Sequence, residues 1–204
     1  MKAILSHMPR VLGQRALSRL ARDKRGTSAI EFALIAPLML GLYIGCVEIS
    51  DGVAADRKVT LVAGALANLS AQVTTISTND MTNIMNASTA IITPYNAGNL
   101  KTTLSCIKID TAGNATVGWS ATVGGTIHAK NSTIVVPEDL KIKDSHGNYI
   151  ASSLLFSEVT YLYVPVTGYI PAWSHIAATG ISLNDHMYMS PRMTAPVYNG
   201  DACS

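Results

Sequence analysis

The sequence predicts an α+β protein: one membrane-spanning helix near the N-terminus, an amphipathic helix extending it, then a soluble domain with a second helix and an antiparallel sheet. Three observations carry this prediction. An uncharged apolar run occupies Phe32 to Val47, apolar residues then recur at helical spacing as far as Ile92, and beyond Pro94 the period changes to two. Helices first and strands later are the order expected of α+β architecture. Across 204 residues, 48% are hydrophobic and only 14% charged, a skew toward apolar content that suits a chain with one lipid-facing segment.

The leader, residues 1–26, holds seven basic side chains (Lys2, Arg10, Arg15, Arg19, Arg22, Lys24 and Arg25) against one acid, Asp23, and the remainder is net acidic. The overall charge of +2 therefore belongs to the leader and gives no reason to expect nucleic-acid binding. Basic flanks stay on the cytoplasmic side of a spanning helix. This predicts a basic cytoplasmic leader, a transmembrane helix at 27–48 in the inner membrane, and an exported remainder. Phe32 to Val47 alone is about 24 Å of helix, short of a hydrocarbon core of about 30 Å. Starting at Thr27 brings it to about 31 Å, which requires Glu31 to lie within the span. Pro37 should bend this helix or free a carbonyl, as membrane helices tolerate.

Ala55, Val59, Val62, Leu66, Leu69, Val73 and Ile76 continue at steps of four and three, a narrow stripe that packs on one partner. This predicts one helix over about 28–76, lipophilic all round at first and amphipathic later. A separate core helix at 53–76 fits the same pattern. Ser77-Thr78-Asn79-Asp80 supplies N-cap candidates for a second helix carrying Met81, Ile84, Met85, Ile91 and Ile92 and closed by Pro94. These elements form a helical region over 49–93, followed by a mostly antiparallel β region over 94–204. Thr103 to Ile109 and Ala115 to Ser120, joined by Thr111-Ala112-Gly113-Asn114, predict a hairpin with Val117 and Trp119 on one face. Further strands are expected at Ser132–Val136, Glu158–Thr167 and His186–Met189. In the second of these, Val159, Tyr161 and Tyr163 share one side.

Chemistry-bearing patterns are sparse. His7, His128, His146, His175 and His186 show no metal-ligand spacing, and no nucleophile elbow, zinc-binding His-Glu-x-x-His or phosphate-cradling glycine loop occurs. No enzyme activity, cofactor, metal or small-molecule substrate is expected. Tyr161, Tyr163 and Tyr169 fit strand packing better than a sugar-binding surface. Gly45-Cys46 after an apolar run is a poor lipoprotein site, since Tyr43 stands where a leucine is usual. Cys106 and Cys203 fall in the exported part, where oxidising conditions permit a disulfide. It would close a loop of about 100 residues, worth ~4–5 kcal/mol in the chain-entropy model. The spacing leaves a bond and two separate thiols both open.

The junction Lys24-Arg25-Gly26, then Thr27-Ser28-Ala29-Ile30-Glu31-Phe32, is the most specific feature. A carboxylate within a span is expensive and usually functional. Together with the Ala-Leu-Ile-Ala-Pro that ends at Pro37, this stretch resembles the N-terminus of TadE-like pseudopilins of the tight-adherence (Tad/Flp) pilus, a type IV pilus system used in cell adhesion. Weaker echoes lie at Val59 to Gln72 (with Asn68 where an acid is common), Trp119-Ser120, Glu158 to Pro165, and Pro191-Arg192 before the last cysteine. No clustered Asp-x-Ser-x-Ser of the larger, metal-binding relatives is present.

The resemblance implies a pilin-like fold and a processing site between Gly26 and Thr27, cut by a prepilin peptidase. It also implies assembly and recognition roles for Glu31 and Phe32. The expected partners are that peptidase, the inner membrane and other Tad pilin or pseudopilin subunits. Cleavage would give Thr27 a free α-amine one helical turn from Glu31, with a reference pKa of roughly 7.7–8.0. The carboxylate could pair with that amine in its own or an adjacent subunit, fixing register. The alternative is an unprocessed single-span protein with a periplasmic binding domain.

Overall fold

The computed structural model describes residues 26–165 and 179–203. The leader, and the expectations for Val166, Thr167, Tyr169 and His175, lie outside the described residues. The described architecture is α+β, with a long apolar N-terminal helix, a second helix and an antiparallel sheet. The chain divides into two compact units, residues 1–47 and 48–204.

Helix α1 is a single element over Thr27–Ala71. Within the first unit all of its large apolar side chains except the half-buried Ile44 are exposed. In the second unit Ala55, Val59, Val62, Ala63, Leu66 and Ala67 are fully or almost fully buried. The helix stops five residues short of the expected Ile76. The β-branched run Val73-Thr74-Thr75-Ile76 is stiff at χ1 and favours extended backbone. Strand β1 (Thr75–Ile76) accordingly pairs in parallel with β6 (Val197–Tyr198). Arg192 donates its backbone N–H to the Ala71 carbonyl, satisfying one helix-end acceptor. Of the expected stripe, Leu69 and Val73 are more than a third exposed, whereas Ile76 is buried.

Helix α2 (Thr78–Ile92) opens with a capping box. The Asp80 backbone N–H donates to Ser77 Oγ, and Ser77 N–H donates to the Asp80 carboxylate at 3.0 Å. At its other end Lys58 Nζ, from α1, donates to the carbonyls of Ile91 (3.0 Å) and Thr93 (2.5 Å). A cation thus meets the negative end of the helix dipole.

Four strands, β2 (Leu100–Ile109), β3 (Ala115–Val123), β4 (Ser152–Tyr163) and β5 (Ile181–Met189), form an antiparallel sheet in the order β3-β2-β4-β5. The β2–β3 turn needs its glycine. Gly113 sits at φ +82, and an added Cβ would come within 2.6 Å of the Tyr149 ring. Asp110 Oδ1 accepts from the backbone N–H groups of Ala112 and Asn114.

One face of the sheet packs Leu104, Cys106, Leu155 and Val159 against Val59, Val62 and Leu66 of α1 and Met81 and Met85 of α2. The other face buries Ile107, Ile109, Leu154 and Phe156 with Val136. Ser157 Oγ, fully buried, donates to the Ala63 carbonyl at 2.6 Å and ties the first face to α1.

Two expectations are corrected. Val117 and Trp119 do not share a face. Trp119 pairs with Cys106 and Val117 with Ile107, so Gly118 is the extra residue of a bulge that reverses the alternation. Ser132–Val136 is not a strand. It is an irregular segment making one isolated bridge, Thr116 to Thr133, and a few hydrogen bonds along the edge of β3. Asn131, at φ 62, turns the chain just before it. The last two expected strands exist with different limits: β4 begins six residues before Glu158, and β5 five before His186.

Candidate functional site

The first unit holds the junction residues on the opening turns of α1. Gly26 and Thr27 are exposed, and a Cβ added at Gly26 would meet nothing within 4 Å. Glu31 follows Thr27 by one helical turn, so both side chains sit over one face. Around them Ile30, Phe32, Leu34, Leu38 and Tyr43 are 64–74% exposed, with Phe32 at 70%. A helix apolar on every side has no stable place in water. By length and composition this is the one helix among the described residues that can cross a membrane. Pro37 lacks an N–H, so the Ala33 carbonyl loses its helical partner inside this segment. Small residues recur every four positions, Ala29, Ala33, Pro37, Gly41 and Gly45. The two glycines have open space where a Cβ would stand, as close approach of another helix requires.

The second unit begins with a buried carboxylate. Glu48 is 5% exposed, and Tyr163 Oη lies 3.4 Å from its Oε2. Burial, reinforced by the Glu48 and Asp51 carboxylates, pushes the Tyr163 phenol up to about 12. Tyr95, which packs edge-on against Tyr163, donates its hydroxyl to the Asp51 carbonyl at 3.0 Å, and burial raises its phenol as well. These tyrosines therefore remain neutral donors at any physiological pH.

Cys106 and Cys203 are joined by a disulfide with Cα atoms 6.0 Å apart, both fully buried, while Cys46 stands exposed on α1. Beside the bond, the Trp119 indole N–H donates to the Pro196 carbonyl at 2.8 Å. Lys130 pairs with Asp201, so the C-terminal segment is fastened at several points.

His128 meets Glu158 at 2.5 Å on the outer sheet face, among Lys101, Thr103 and Thr160. His186 stands opposite Glu158 in register on β5, and His146 lies exposed near Asp144. No group of three His, Cys, Asp or Glu residues placed to hold a metal occurs among the described residues. Sequence reasoning missed the His128–Glu158 pair, the Glu48–Tyr163 contact and the Lys58 cap because each joins residues 30 or more positions apart. It also missed the small-residue stripe, which the four-residue spacing alone would have revealed.

Residues 26–67 match the family of TadE-like proteins. The match starts at Gly26, the residue singled out as the processing position, and runs through the apolar segment into the buried half of α1. The sheet and the C-terminal disulfide lie beyond the TadE-like segment. No curated protein and no solved structure matches the chain.

Proposed function

We propose that this chain is a minor pseudopilin that acts in biogenesis of a Tad pilus for adherence. A prepilin peptidase cuts after Gly26. Residues 27–48 hold the product in the bacterial inner membrane with the leader in the cytoplasm, and residues 49–204 face the periplasm. There the protein helps initiate or cap the pilus together with other pilin and pseudopilin subunits.

The observation that carries this reading is the coincidence at one junction. The TadE-like match and α1 both begin there, and Gly26 is the exposed residue immediately before the helix. Both residues of the Gly26–Thr27 bond are exposed, at the very start of the helix, where a peptidase can reach them. Glu31 then has a partner ready-made. The new α-amine of Thr27 is largely cationic at neutral pH, and a pair in low dielectric offsets its desolvation only with good geometry, which favours one register between subunits. The open faces of Gly41 and Gly45 supply the close helix contact such a bundle needs.

Mass measurement of the protein isolated from its native membrane tests the reading. A mature chain beginning at Thr27 is the expected result. A chain that still begins at Met1 overturns it and leaves a single-span protein with a periplasmic binding domain.

A further inference from the structure

Strand β5 lies at one side of the sheet. Among the described residues its backbone pairs only with β4, so its other edge carries hydrogen-bonding groups that no strand meets. Two contacts show which residues turn outward. The His186 backbone N–H donates to Asp185 Oδ1 at 2.8 Å, and the Ser182 carbonyl accepts from Asn184 Nδ2 at 3.5 Å. Backbone direction alternates along an antiparallel strand, so Ser182, Asn184, His186 and Tyr188 offer their N–H and C=O groups to the open edge.

An open edge of nine residues is a ready template for another strand. Leu183, Met187 and Met189 sit on the side of β5 that packs against the main core, and Asp185 interrupts this apolar row. It is half-buried and stands opposite Val159 of β4. Its one hydrogen bond among the described residues is the one to His186. An apolar side chain would pack better there, so the carboxylate has another reason to be present.

Asp185 is also the middle residue of Ile181–Met189. When two copies of β5 pair antiparallel and flush, Ile181 meets Met189, Leu183 meets Met187, and Asp185 meets its own counterpart. The outward-facing positions make the hydrogen bonds, which leaves the two Asp185 residues in a narrow pair with Cα atoms about 4.5 Å apart. Like charges directly opposite destabilise a sheet. Sliding the strands by two residues sets each Asp185 against Leu183 or Met187, where a carboxylate loses water and gains no cation.

We propose that Asp185 guards the open edge of β5 against a second copy of this chain. It occupies the His186 N–H, and it places charge where two strands would meet. Neighbouring copies are thereby kept from joining into one continuous sheet, and contact between them is left to other surfaces. This holds for the second unit by itself, whether or not the chain is cut after Gly26.

The test uses the full chain in detergent micelles, in a Cys46→Ser background, with a nitroxide at Asn184→Cys, an exposed position. In a flush pair the two labelled positions are diagonal neighbours about 7–8 Å apart, close enough for the spins to broaden one another's spectra. With Asp185 in place the spectrum is expected to be the same with or without excess unlabelled protein. Asp185→Val should broaden it, and excess unlabelled Asp185→Val protein should restore it. Asp185→Asn keeps the size and an acceptor for the His186 N–H but removes the charge, and should broaden it to a smaller extent. A nitroxide at Val123→Cys, 53% exposed on β3 at the far edge of the sheet, should stay narrow throughout.

A narrow spectrum in both Asp185 variants overturns the proposal. So does broadening while Asp185 is present, which would make the edge a pairing surface. Broadening at Val123→Cys as well identifies general aggregation of the variants and overturns the β5 edge as its cause.

Discussion

Breaking the Cys106–Cys203 bond by Cys106→Ala together with Cys203→Ala should be among the costliest changes outside the helical core. The two positions are 97 apart in sequence. Closing a loop of that length removes chain entropy from the unfolded state worth about 4.7 kcal/mol in the chain-entropy model. Both side chains are fully buried, so their loss also leaves small voids against Trp119 and the sheet. Opposing this, the Trp119–Pro196 and Arg192–Ala71 hydrogen bonds and the β1–β6 pairing hold the C-terminal segment in place without the bond. A loss of about 3–5 kcal/mol is therefore expected. For a unit of this size that corresponds to a fall in Tm of roughly 6 to 20 °C. The assay is thermal or urea unfolding of the full chain in detergent followed by circular dichroism, and added dithiothreitol should bring the wild-type protein to the same midpoint. A loss under about 1 kcal/mol would refute the reasoning. So would three reactive thiols in the unreduced, denatured wild type.

Three further outcomes are expected. Glu31→Ala should leave membrane insertion intact or improved while impairing pilus assembly. Normal pili in that mutant, scored by electron microscopy, would remove the proposed role of the carboxylate. Lys58→Met keeps the stem but deletes the cation that caps α2, and should cost about 1–2 kcal/mol in urea unfolding, because charge-assisted bonds to partly exposed carbonyls are discounted by solvent. In alkali, the unfolded Tyr163 ionises near 10 and the folded one only near 12. The folded state binds the extra proton across that window, so stability is full below it and declines as pH rises through it. Tyr163→Phe should flatten part of that decline, measured by urea midpoints at successive pH values.

What the sequence determined by itself was everything encoded within a few residues. The apolar run and its single carboxylate, the Ser77–Asp80 start of α2, the Gly113 turn and the shared side of Val159, Tyr161 and Tyr163 all depend on near neighbours, whose spacing is visible in one dimension. Only the tertiary structure decided where α1 stops, because Thr75–Ile76 leaves the helix to pair with Val197–Tyr198, more than 120 residues away. It alone put Trp119 and Val117 on opposite faces, since one extra residue at Gly118 inverts a period-two pattern without changing its composition. The same holds for Glu48 beneath Tyr163 and for Cys106 against Cys203. Such contacts are chosen by how the faces of distant elements fit once they pack, and no local spacing records that choice.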